Sequence, residues 1–533
     1  MTTVAEVLAQ TIRAAGIDTV FGLPGGENAE TLDAMRREGL DFVLVRNESS
    51  AVFMADATAR LTGKPSVALV TLGPGAANAY CGMAHAYLDR APVLLVTAQS
   101  DGRTFDTYTH QVIDLQASFA PVTKMTCELT NVNTRQVAEE ALRLTMNGRP
   151  GPVHLGISTF MAEQPVIENV PATGNPPSLV PDIGDAIDAT KAFLAQAKRP
   201  IIVCGVGLEP EKPYEVIRQL AEAAQAPVIV TPKAKGAISD DHPLSVGTFG
   251  LGQTDPPYEV ADECDCIVAV GFDVVEMERL WDQPQPVIWV APWKNEDPVI
   301  AHVEHEFVGP MTSVLEQLAQ ADFDPHPNWG AARVAAFHES HVNPFLPEPA
   351  AGRLRPQTVL DVLRHHVPRE AVVATDVGAH KICTGLIWPT YSPNSYLLSN
   401  GLSSMGFGLP EAMAAARVTG ETAVCVTGDG GMAMVLGELG LLRDLDLPVI
   451  VLIMNDNALD LIRSAQRRRG KPVYGTEFVN PDFDKIAQAY EIDFYRVSNE
   501  EECGMALETA VAARKPVIIE ALIDPISYPT TPK

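Results

Sequence analysis

The sequence of 533 residues predicts an α/β fold of three doubly wound parallel-sheet domains. Short runs of apolar and β-branched residues alternate with amphipathic stretches, the pattern of strands and helices in a parallel sheet. Runs such as Ser66–Thr71 and Val449–Met454 are almost continuously apolar, as strands are when helices cover both sheet faces. A chain of this length also exceeds what one hydrophobic core supports.

The predicted elements follow in chain order, and two proline-rich segments separate them into three groups. Strands are predicted at Ser66–Thr71, Val93–Thr97, Ile201–Cys204, Ile267–Val270, Val287–Val290, Ala423–Thr427 and Val449–Met454, and helices at Pro213–Ala224 and Glu438–Leu445. Asn169–Pro181 and His341–Pro356 each carry four prolines and little apolar periodicity, as linkers do. We therefore expect domains at residues 1–168, 182–340 and 357–533.

Composition excludes several functional classes. The formal charge is −28, and such a surface repels nucleic acid and anionic membranes. No run reaches the roughly 18 apolar residues that span a bilayer, and the first ten residues lack the pattern of a secretory signal. The eight cysteines are scattered, and Cys264 and Cys266 are expected to be small core residues. We expect a cytoplasmic protein that binds neither nucleic acid nor membranes.

The strongest chemical signal is a pair of motifs at consecutive strand ends. Gly428-Asp429-Gly430 follows one predicted strand, and Asn455-Asp456-Asn457 follows the next. The carboxyl ends of parallel strands share one edge of the sheet, where ligands bind. Oxygen ligands there suit Mg²⁺, and glycines let backbone N–H groups approach a diphosphate.

Together the two motifs resemble the diphosphate–metal motif of thiamine-diphosphate-dependent enzymes of the acetolactate synthase and 2-oxo acid decarboxylase type. The resemblance implies that Asp429, Asp456 and the main-chain carbonyl of Ala458 hold Mg²⁺. It also implies cofactor contacts at Gly428, Gly430, Gly431, Asn457 and Leu459. Many relatives carry Asn where this chain has Asp456, and the second carboxylate is expected to hold Mg²⁺ more tightly.

Five further motifs carry the same resemblance. Phe21–Gly26 resembles the first glycine turn, with Gly25 and Gly26 near the thiazolium, and Glu48 matches the glutamate that activates the cofactor through its pyrimidine ring. Thr71–Asn78 resembles the loop around the pyrimidine. The remaining implied contacts are Pro74 and Asn78 in that loop, the carbonyl of Ser403 and the wedge Met405 in Asn400–Pro410, and Gly378 and His380 in Asp376–His380.

Substrate handling is assigned to Gly26, His110 and Gln111, because the last two align with a substrate-facing pair of the acetolactate synthases. Two departures leave the reaction open. Gly271–Met277 lacks the arginines that bind the acceptor carboxylate in those enzymes, and Ala465 stands where they have a channel tryptophan. The alternatives are carboligation after decarboxylation of a 2-oxo acid, aldehyde release by a decarboxylase or 2-hydroxyacyl lyase, and an inactive regulatory paralogue.

The resemblance also bears on cofactors and assembly. It implies thiamine diphosphate and Mg²⁺, and a homodimer or homotetramer with active sites at the subunit interface. FAD is not expected, because Gly205-Val206-Gly207 is an isolated glycine pair and Val287–Val290 leads into Ala291 rather than an acidic residue.

A basic run and three histidines complete the set of expectations. Arg463, Arg467, Arg468, Arg469 and Lys471 form either a solvated or salt-bridging helix end or a clamp for an anionic substrate tail such as that of coenzyme A. His85, His154 and His242 match no active-site motif, and we expect structural roles for them.

Overall fold

A computed structural model of the chain describes residues 1–101, 107, 109–167, 184–209, 211–341 and 347–528. Within these residues the strands form three six-stranded sheets, and each pair of neighbouring strands runs parallel. The predicted α/β class with three parallel sheets is confirmed. The first predicted linker, Asn169–Pro181, lies outside the described residues, as do residues 342–346 of the second. No helix of the described part has the length and apolarity to cross a membrane.

The first sheet has the strand order β2-β1-β3-β4-β6-β5. Every residue of its central strands β3, β4 and β6 is buried, as expected when helices cover both faces. The strands are β1 (Thr19–Leu23), β2 (Asp41–Leu44), β3 (Ser66–Val70), β4 (Val93–Gln99), β5 (Met125–Glu128) and β6 (Val153–Ser158). The helices are α1 (Val4–Ala14), α2 (Ala29–Arg37), α3 (Glu48–Thr62), α4 (Pro74–Leu88), α5 (Leu115–Phe119), α6 (Thr134–Met146) and α7 (Thr159–Ala162).

The second sheet has the order β12-β11-β10-β7-β8-β9. Its strands are β7 (Pro200–Cys204), β8 (Val228–Val230), β9 (Ser245–Thr248), β10 (Cys266–Val270), β11 (Val287–Ala291) and β12 (Val303–Val308). The helices of this region are α8 (Gly184–Leu194), α9 (Tyr214–Ala224), α10 (Tyr258–Glu263), α11 (Met311–Leu318) and α12 (Ala331–His341). Cys264 and Cys266 are buried and unbonded, as small core residues are.

The third sheet has the order β14-β13-β15-β16-β18-β17. Its strands are β13 (Val373–Thr375), β14 (Tyr396–Leu398), β15 (Ala423–Gly428), β16 (Val449–Asn455), β17 (Asp493–Val497) and β18 (Val517–Leu522). The helices are α13 (Pro356–His366), α14 (Ala379–Ile387), α15 (Gly408–Thr419), α16 (Asp429–Met434), α17 (Glu438–Asp444), α18 (Asp460–Arg468), α19 (Phe483–Ala489) and α20 (Glu500–Ala513).

The chain separates into two compact units. The first contains the first sheet and its helices together with residues 401–420 and 435–447, so α15 and α17 belong to it. The second contains the second and third sheets, including residues 421–434 and the chain after residue 447.

His154 lies buried in β6, as expected for a structural histidine. Its Nε2 lies 2.8 Å from the hydroxyl of Thr97, and its Nδ1 lies 2.7 Å from that of Thr126. Burial lowers the pKa of His154 from 6.5 to about 3, because the imidazolium form would lose its hydration. The ring is therefore neutral in the folded protein at ordinary pH.

This pKa shift predicts a specific loss of stability in acid. Below pH 6.5 the unfolded chain takes up a proton at His154 that the folded chain does not bind until about pH 3, so folding stability falls between those values. Moving from pH 7.5 to 5.5 should cost the wild type about 1.4 kcal/mol that His154→Gln does not lose. Urea unfolding of both proteins at the two pH values measures this difference. If the wild type and His154→Gln differ in free energy of unfolding by the same amount at both pH values, the conclusion that His154 is buried and neutral is contradicted.

Candidate active site

The third sheet brings three acidic residues to one edge. Strand β15 pairs with β13 on one side and β16 on the other, so the carboxyl ends of these three strands are neighbours. Asp376 follows β13, Asp429 begins α16 directly after β15, and Asp456 follows β16. The predicted juxtaposition of the Asp429 and Asp456 motifs is therefore present in the fold.

The carboxylate of Asp429 is held by three donors. The backbone N–H of Gly430 donates to Oδ1 at 3.0 Å, and that of Asn457 donates to Oδ2 at 2.9 Å. The side-chain amide of Asn480 donates to Oδ2 at 2.6 Å. Burial raises the pKa of Asp429, and these donors oppose that shift by favouring the ionised form.

The amide nitrogen of Asn480 lies among three oxygens. Besides Asp429 Oδ2, it contacts Asn455 Oδ1 at 3.0 Å and Asn457 Oδ1 at 3.1 Å. An amide nitrogen has only two hydrogens to offer three acceptors. This edge of the sheet is thus a convergence of oxygen atoms, the environment that a hard divalent cation favours.

Asp456 has a different environment, with a cationic partner. Its Oδ1 accepts from the backbone N–H of Ala458 at 3.2 Å, and its Oδ2 lies 3.1 Å from Nη2 of Arg463. Burial raises the pKa of Asp456 to about 7, and nearby Asp429 and Asp460 add to the shift while Arg463 opposes it. The sequence predicted that Asp456 holds Mg²⁺ more tightly by adding a second carboxylate. That prediction did not include the positive charge of Arg463 beside it.

The basic run divides into two parts. Arg463 is buried and faces Asp456 and Asp460, so it is not part of a solvated helix end. Its companions Arg467, Arg468, Arg469 and Lys471 are exposed at and beyond the end of α18. These four fit the interpretation of a solvated helix end.

Glycines keep this edge free of side chains. A Cβ atom on Gly431 would lie 2.2 Å from Asp376 Oδ2, and one on Gly378 would lie 2.6 Å from the ring of His380. A Cβ on Gly428 would lie 3.0 Å from the same ring. The backbone at these positions therefore stays bare, as close approach to a phosphate group requires.

His380 is a buried, neutral side chain at the start of α14. Burial lowers its pKa to about 4. Its Nε2 atom has no hydrogen-bond partner among the described residues. An unpaired buried ring nitrogen costs free energy unless a ligand pairs with it.

In the first unit, Glu48 begins α3 and is nearly buried. The side chain of Asn47 caps this helix by accepting from the N–H of Ser49 at 2.9 Å. The Glu48 carboxylate accepts from the amide of Asn78 at 3.0 Å. A Cβ on Gly75 would lie 3.3 Å from Glu48 Oε1, so the first turn of α4 passes close to this carboxylate.

A second glutamate fixes the backbone that precedes Glu48. The Oε1 atom of Glu438 in α17 accepts from the N–H groups of Arg46 and Asn47 at 3.1 and 3.0 Å. Burial raises the pKa of Glu438, and hydrogen bonds with Ser50, Arg46 and Asn47 oppose that shift. Glu438 thus positions the start of α3 through main-chain contacts.

The other predicted residues of the first unit lie around two turns. A Cβ on Gly25 would lie 2.3 Å from the Thr71 hydroxyl, whereas one on Gly26 would meet no described atom within 4 Å. Gly73, which precedes Pro74, has a φ of +56°, and its Cβ would lie 2.7 Å from the Cβ of Gln111. Gln111 is therefore brought to the turn that contacts Glu48, and His110 beside it is exposed.

The segment carrying Ser403 and Met405 is anchored to Asp89 at the end of α4. Asp89 accepts from the N–H groups of Gly401 and Leu402 at 3.1 and 3.2 Å. Ser403 has a φ of +55°, a left-handed conformation that is costly for a residue other than glycine. Such a backbone needs the surrounding contacts to hold it.

Asp89 also belongs to a buried network of charged side chains. His85 lies 2.9 Å from Asp89 and 2.8 Å from Asp56, and Arg60 lies 2.7 Å from Asp56. Burial disfavours the imidazolium, but the two carboxylates outweigh it and raise the pKa of His85. His85 therefore has the structural role expected of it. Asp56, His85 and Glu411 have the spacing of a cation site, and Asp56 in it is already paired with the cationic side chains of His85 and Arg60.

Comparisons with known proteins agree with this arrangement. Domain models of thiamine pyrophosphate enzymes match residues 2–118 (N-terminal TPP binding domain), 187–318 (central domain) and 376–521 (C-terminal TPP binding domain). The acetolactate synthase large subunit of Parasynechococcus marenigrum is 30% identical to this chain, and the alignment covers 97% of this chain and 86% of the length of that relative. The chain belongs to the thiamine pyrophosphate enzyme family.

Other relatives of this family align over nearly their full length. The acetolactate synthase of Bacillus subtilis is 28% identical over 98% of this chain and 93% of its own. The acetolactate synthase isozyme 2 large subunit of Escherichia coli is 28% identical over 99% of this chain and 97% of its own.

The described residues fit the diphosphate and metal of a thiamine pyrophosphate enzyme. Carboxylate and amide oxygens at the strand ends suit Mg²⁺. The bare backbone of Gly428 and Gly431 and the unpaired Nε2 of His380 suit a phosphate group.

Sequence reasoning missed three residues that support this family site: Asn480, Glu438 and Asp89. Each acts through its fold position rather than through a local motif, since Asn480 lies 51 residues from Asp429 and Glu438 lies 391 residues from Asn47. The signals available were an isolated Asn before a proline and two isolated acidic residues at helix ends, which are common in loops and caps.

The lack of space beside Gly431 predicts that adding one methyl group there weakens cofactor binding. Gly431→Ala should displace Asp376 or α16, at a cost of about 1–3 kcal/mol for overpacking, and should weaken binding of thiamine diphosphate. Gly504→Ala in α20 is the matched control, because its Cβ would meet nothing closer than 3.5 Å. Calorimetric titration of both variants with the cofactor and Mg²⁺ tests this. Equal affinity in the two variants would contradict the role given to Gly431.

Proposed function

We propose that this protein decarboxylates a 2-oxo acid with thiamine diphosphate and Mg²⁺ and joins the resulting fragment to a second carbonyl compound, as an acetolactate synthase does. The observation that carries the proposal is the oxygen-lined edge at Asp429 and Asp456, in a chain whose full-length relatives bear that name. These relatives do not favour an inactive paralogue or an enzyme that releases an aldehyde.

In the proposed site, the second unit holds the diphosphate. Asp429, Asp456 and the carbonyl of Ala458 bind Mg²⁺. The backbone of Gly428, Gly430 and Gly431, with Gly378, Asn457 and Leu459, lies against the phosphates, and His380 Nε2 pairs with a phosphate oxygen. This pairing removes the cost of an unpartnered buried nitrogen.

Residues of the first unit act on the pyrimidine ring. The nearly buried Glu48 carboxylate holds a proton at the ring nitrogen N1′, and Asn78 fixes its orientation through the 3.0 Å hydrogen bond. The Ser403 carbonyl accepts from the 4′-amino group, and Met405 and Pro74 pack against the ring. When bound, the cofactor supplies an electron sink that stabilises a carbanion.

The substrate end of the site is assigned to Gly26, Gln111 and His110, and Gly25 lies against the cofactor. Open space beside Gly26 leaves room for a substrate near the thiazolium. Gln111 donates a hydrogen bond to the substrate carboxylate or carbonyl. His110, which is exposed in the chain, transfers a proton to or from substrate oxygen.

We further propose a homodimer or homotetramer with active sites at the subunit interface, located in the cytoplasm. The resemblance of the motifs supports this assembly, and the strongly acidic composition supports the absence of nucleic-acid and membrane partners.

The product of the reaction decides between carboligation and aldehyde release. Purified protein with thiamine diphosphate, Mg²⁺ and pyruvate should form acetolactate, identified by mass spectrometry, because a second pyruvate traps the first fragment. Longer 2-oxo acids offered alone and with pyruvate test donor and acceptor separately. Acetaldehyde or a longer aldehyde as the sole product would contradict the proposal and favour a decarboxylase or lyase.

Substitutions of Glu48 and of His110 should slow different steps of the reaction. Glu48→Gln cannot share a proton with N1′, so exchange of the thiazolium C2 proton in deuterated water should slow together with turnover. His110→Ala should keep C2 exchange and lose about 10²–10⁴-fold in turnover, the usual contribution of general acid–base catalysis. NMR of quenched cofactor measures the exchange. Normal C2 exchange in Glu48→Gln, or full turnover of His110→Ala, would contradict this division.

We also propose that the middle domain binds no FAD. The side chain of Glu276, a residue that follows β10, accepts from the N–H of Val206 in the turn after β7 at 2.8 Å and from that of Lys233 after β8 at 3.1 Å. A Cβ on Gly207 would lie 2.3 Å from the Trp293 ring, so the indole fills this space. Protein purified with or without added FAD should show no absorbance band near 450 nm, a band typical of flavin. A stoichiometric flavin band would contradict this.

A further inference from the structure

The surroundings of Asp456 point to how the proposed metal centre is charged. Asp456 places a second carboxylate, whose side chain is only 5% exposed, beside the other predicted ligand, Asp429. We infer that Arg463 is a charge-compensating positioning residue, which allows a carboxylate to serve as a metal ligand at residue 456. The inference rests on the proposed function, because it takes Asp429 and Asp456 as the Mg²⁺ ligands.

The geometry joins Arg463 to two carboxylates at once. Its Nη2 lies 3.1 Å from Asp456 Oδ2 and 2.8 Å from Asp460 Oδ1, and its Nε donates to Asp460 Oδ1 at 2.9 Å. The side chains of all three residues are less than a tenth exposed. Glu477 lies 3.7 Å from Nη1 but is mostly exposed, so solvent weakens its effect.

Burial makes this partner necessary. A buried carboxylate without a cation is costly, and removing one member of a buried pair leaves the other uncompensated. Arginine suits the position because its guanidinium stays charged and its planar fork reaches two acceptors. Lysine would keep the charge but lose the fork.

The contacts also leave Asp456 able to bind a metal. Arg463 contacts Oδ2, whereas within the described part of the chain Oδ1 accepts only the long 3.2 Å hydrogen bond from the N–H of Ala458. A carboxylate oxygen has two lone pairs, so Oδ1 has capacity for a cation. The guanidinium draws negative charge toward Oδ2, so Oδ1 carries less of it.

Charge counting gives the direction of each substitution. Asp429, Asp456 and Asp460 with Arg463 carry a formal charge of −2 when ionised, from three carboxylates and one guanidinium. Arg463→Gln makes this −3, and Asp456→Asn makes it −1. The double variant returns to −2.

These charges predict that the two single variants weaken the binding of different ligands. Arg463→Gln should weaken thiamine diphosphate binding at saturating Mg²⁺ about tenfold, because the extra negative charge repels the diphosphate. Asp456→Asn should raise the Mg²⁺ concentration for half-saturation about tenfold, because the site loses one negative charge while Arg463, then paired with Asp460 alone, keeps its positive charge. Effects of this size are within the range of coupling for charge pairs in contact. The double variant should lie within about threefold of the wild type in both quantities.

The test is calorimetric titration of the full-length protein with thiamine diphosphate over a series of Mg²⁺ concentrations. Arg467→Gln is the matched control, since it removes an exposed arginine from the same helix and should change neither quantity. Circular dichroism and thermal unfolding establish that each variant is folded. Recovery in the double variant supports the inference.

Additive defects in the double variant would overturn it and leave Arg463 with a purely structural role. If Arg463→Gln does not fold, Arg463→Lys decides, because lysine keeps the positive charge: thiamine diphosphate affinity within about threefold of the wild type supports charge compensation, and a loss of about tenfold or more contradicts it. Wild-type binding of thiamine diphosphate without Mg²⁺ would instead contradict the proposed metal centre. The two failures are therefore distinguishable.

Discussion

The proposed chemistry depends on the position of one carboxylate, that of Asp429. Strand β15 delivers it to the centre of the sheet edge, and donors from three separate segments hold it: Gly430 next to it, Asn457 after β16 and Asn480 before α19. A single rotation of this side chain would break contacts to all three segments. The strand ends of the third sheet are thus connected through this carboxylate, and the adjoining glycines keep the space beside it open.

In the first unit, Glu48 is likewise held in position by hydrogen bonds from residues distant in the sequence. Its orientation is set by Asn78, and the backbone leading to it is held by Glu438. The segment with Ser403 is held by Asp89 through two main-chain N–H groups. Glu438 and Asp89 are buried carboxylates that fix a neighbouring backbone, and Asn78 fixes the Glu48 carboxylate itself, so the reactive groups are positioned by residues that do no chemistry themselves. Hydrogen bonds to charged acceptors are stronger than neutral ones, which suits this task.

Much of this could be predicted from the sequence. The continuous apolar runs located β3, β4, β15 and β16 to within one or two residues, because buried parallel strands have few alternatives. Asp429 and Asp456 were found because each directly follows such a strand. The inward turn of Arg463 could not be predicted, since its neighbours Arg467 and Arg468 give α18 the appearance of a uniformly basic helix. Asn480 and Asp89 depend on tertiary proximity that no local pattern encodes.

The central claim is that a divalent cation binds where Asp429, Asp456 and Ala458 converge. A crystal structure of the protein grown with Mn²⁺ and thiamine diphosphate tests it directly, because Mn²⁺ replaces Mg²⁺ at oxygen sites and scatters anomalously. The account predicts one strong anomalous peak within about 2.0–2.3 Å of the Asp429 and Asp456 carboxylates and the Ala458 carbonyl. A peak at Asp56, His85 and Glu411 instead, or none at Asp429, would contradict it.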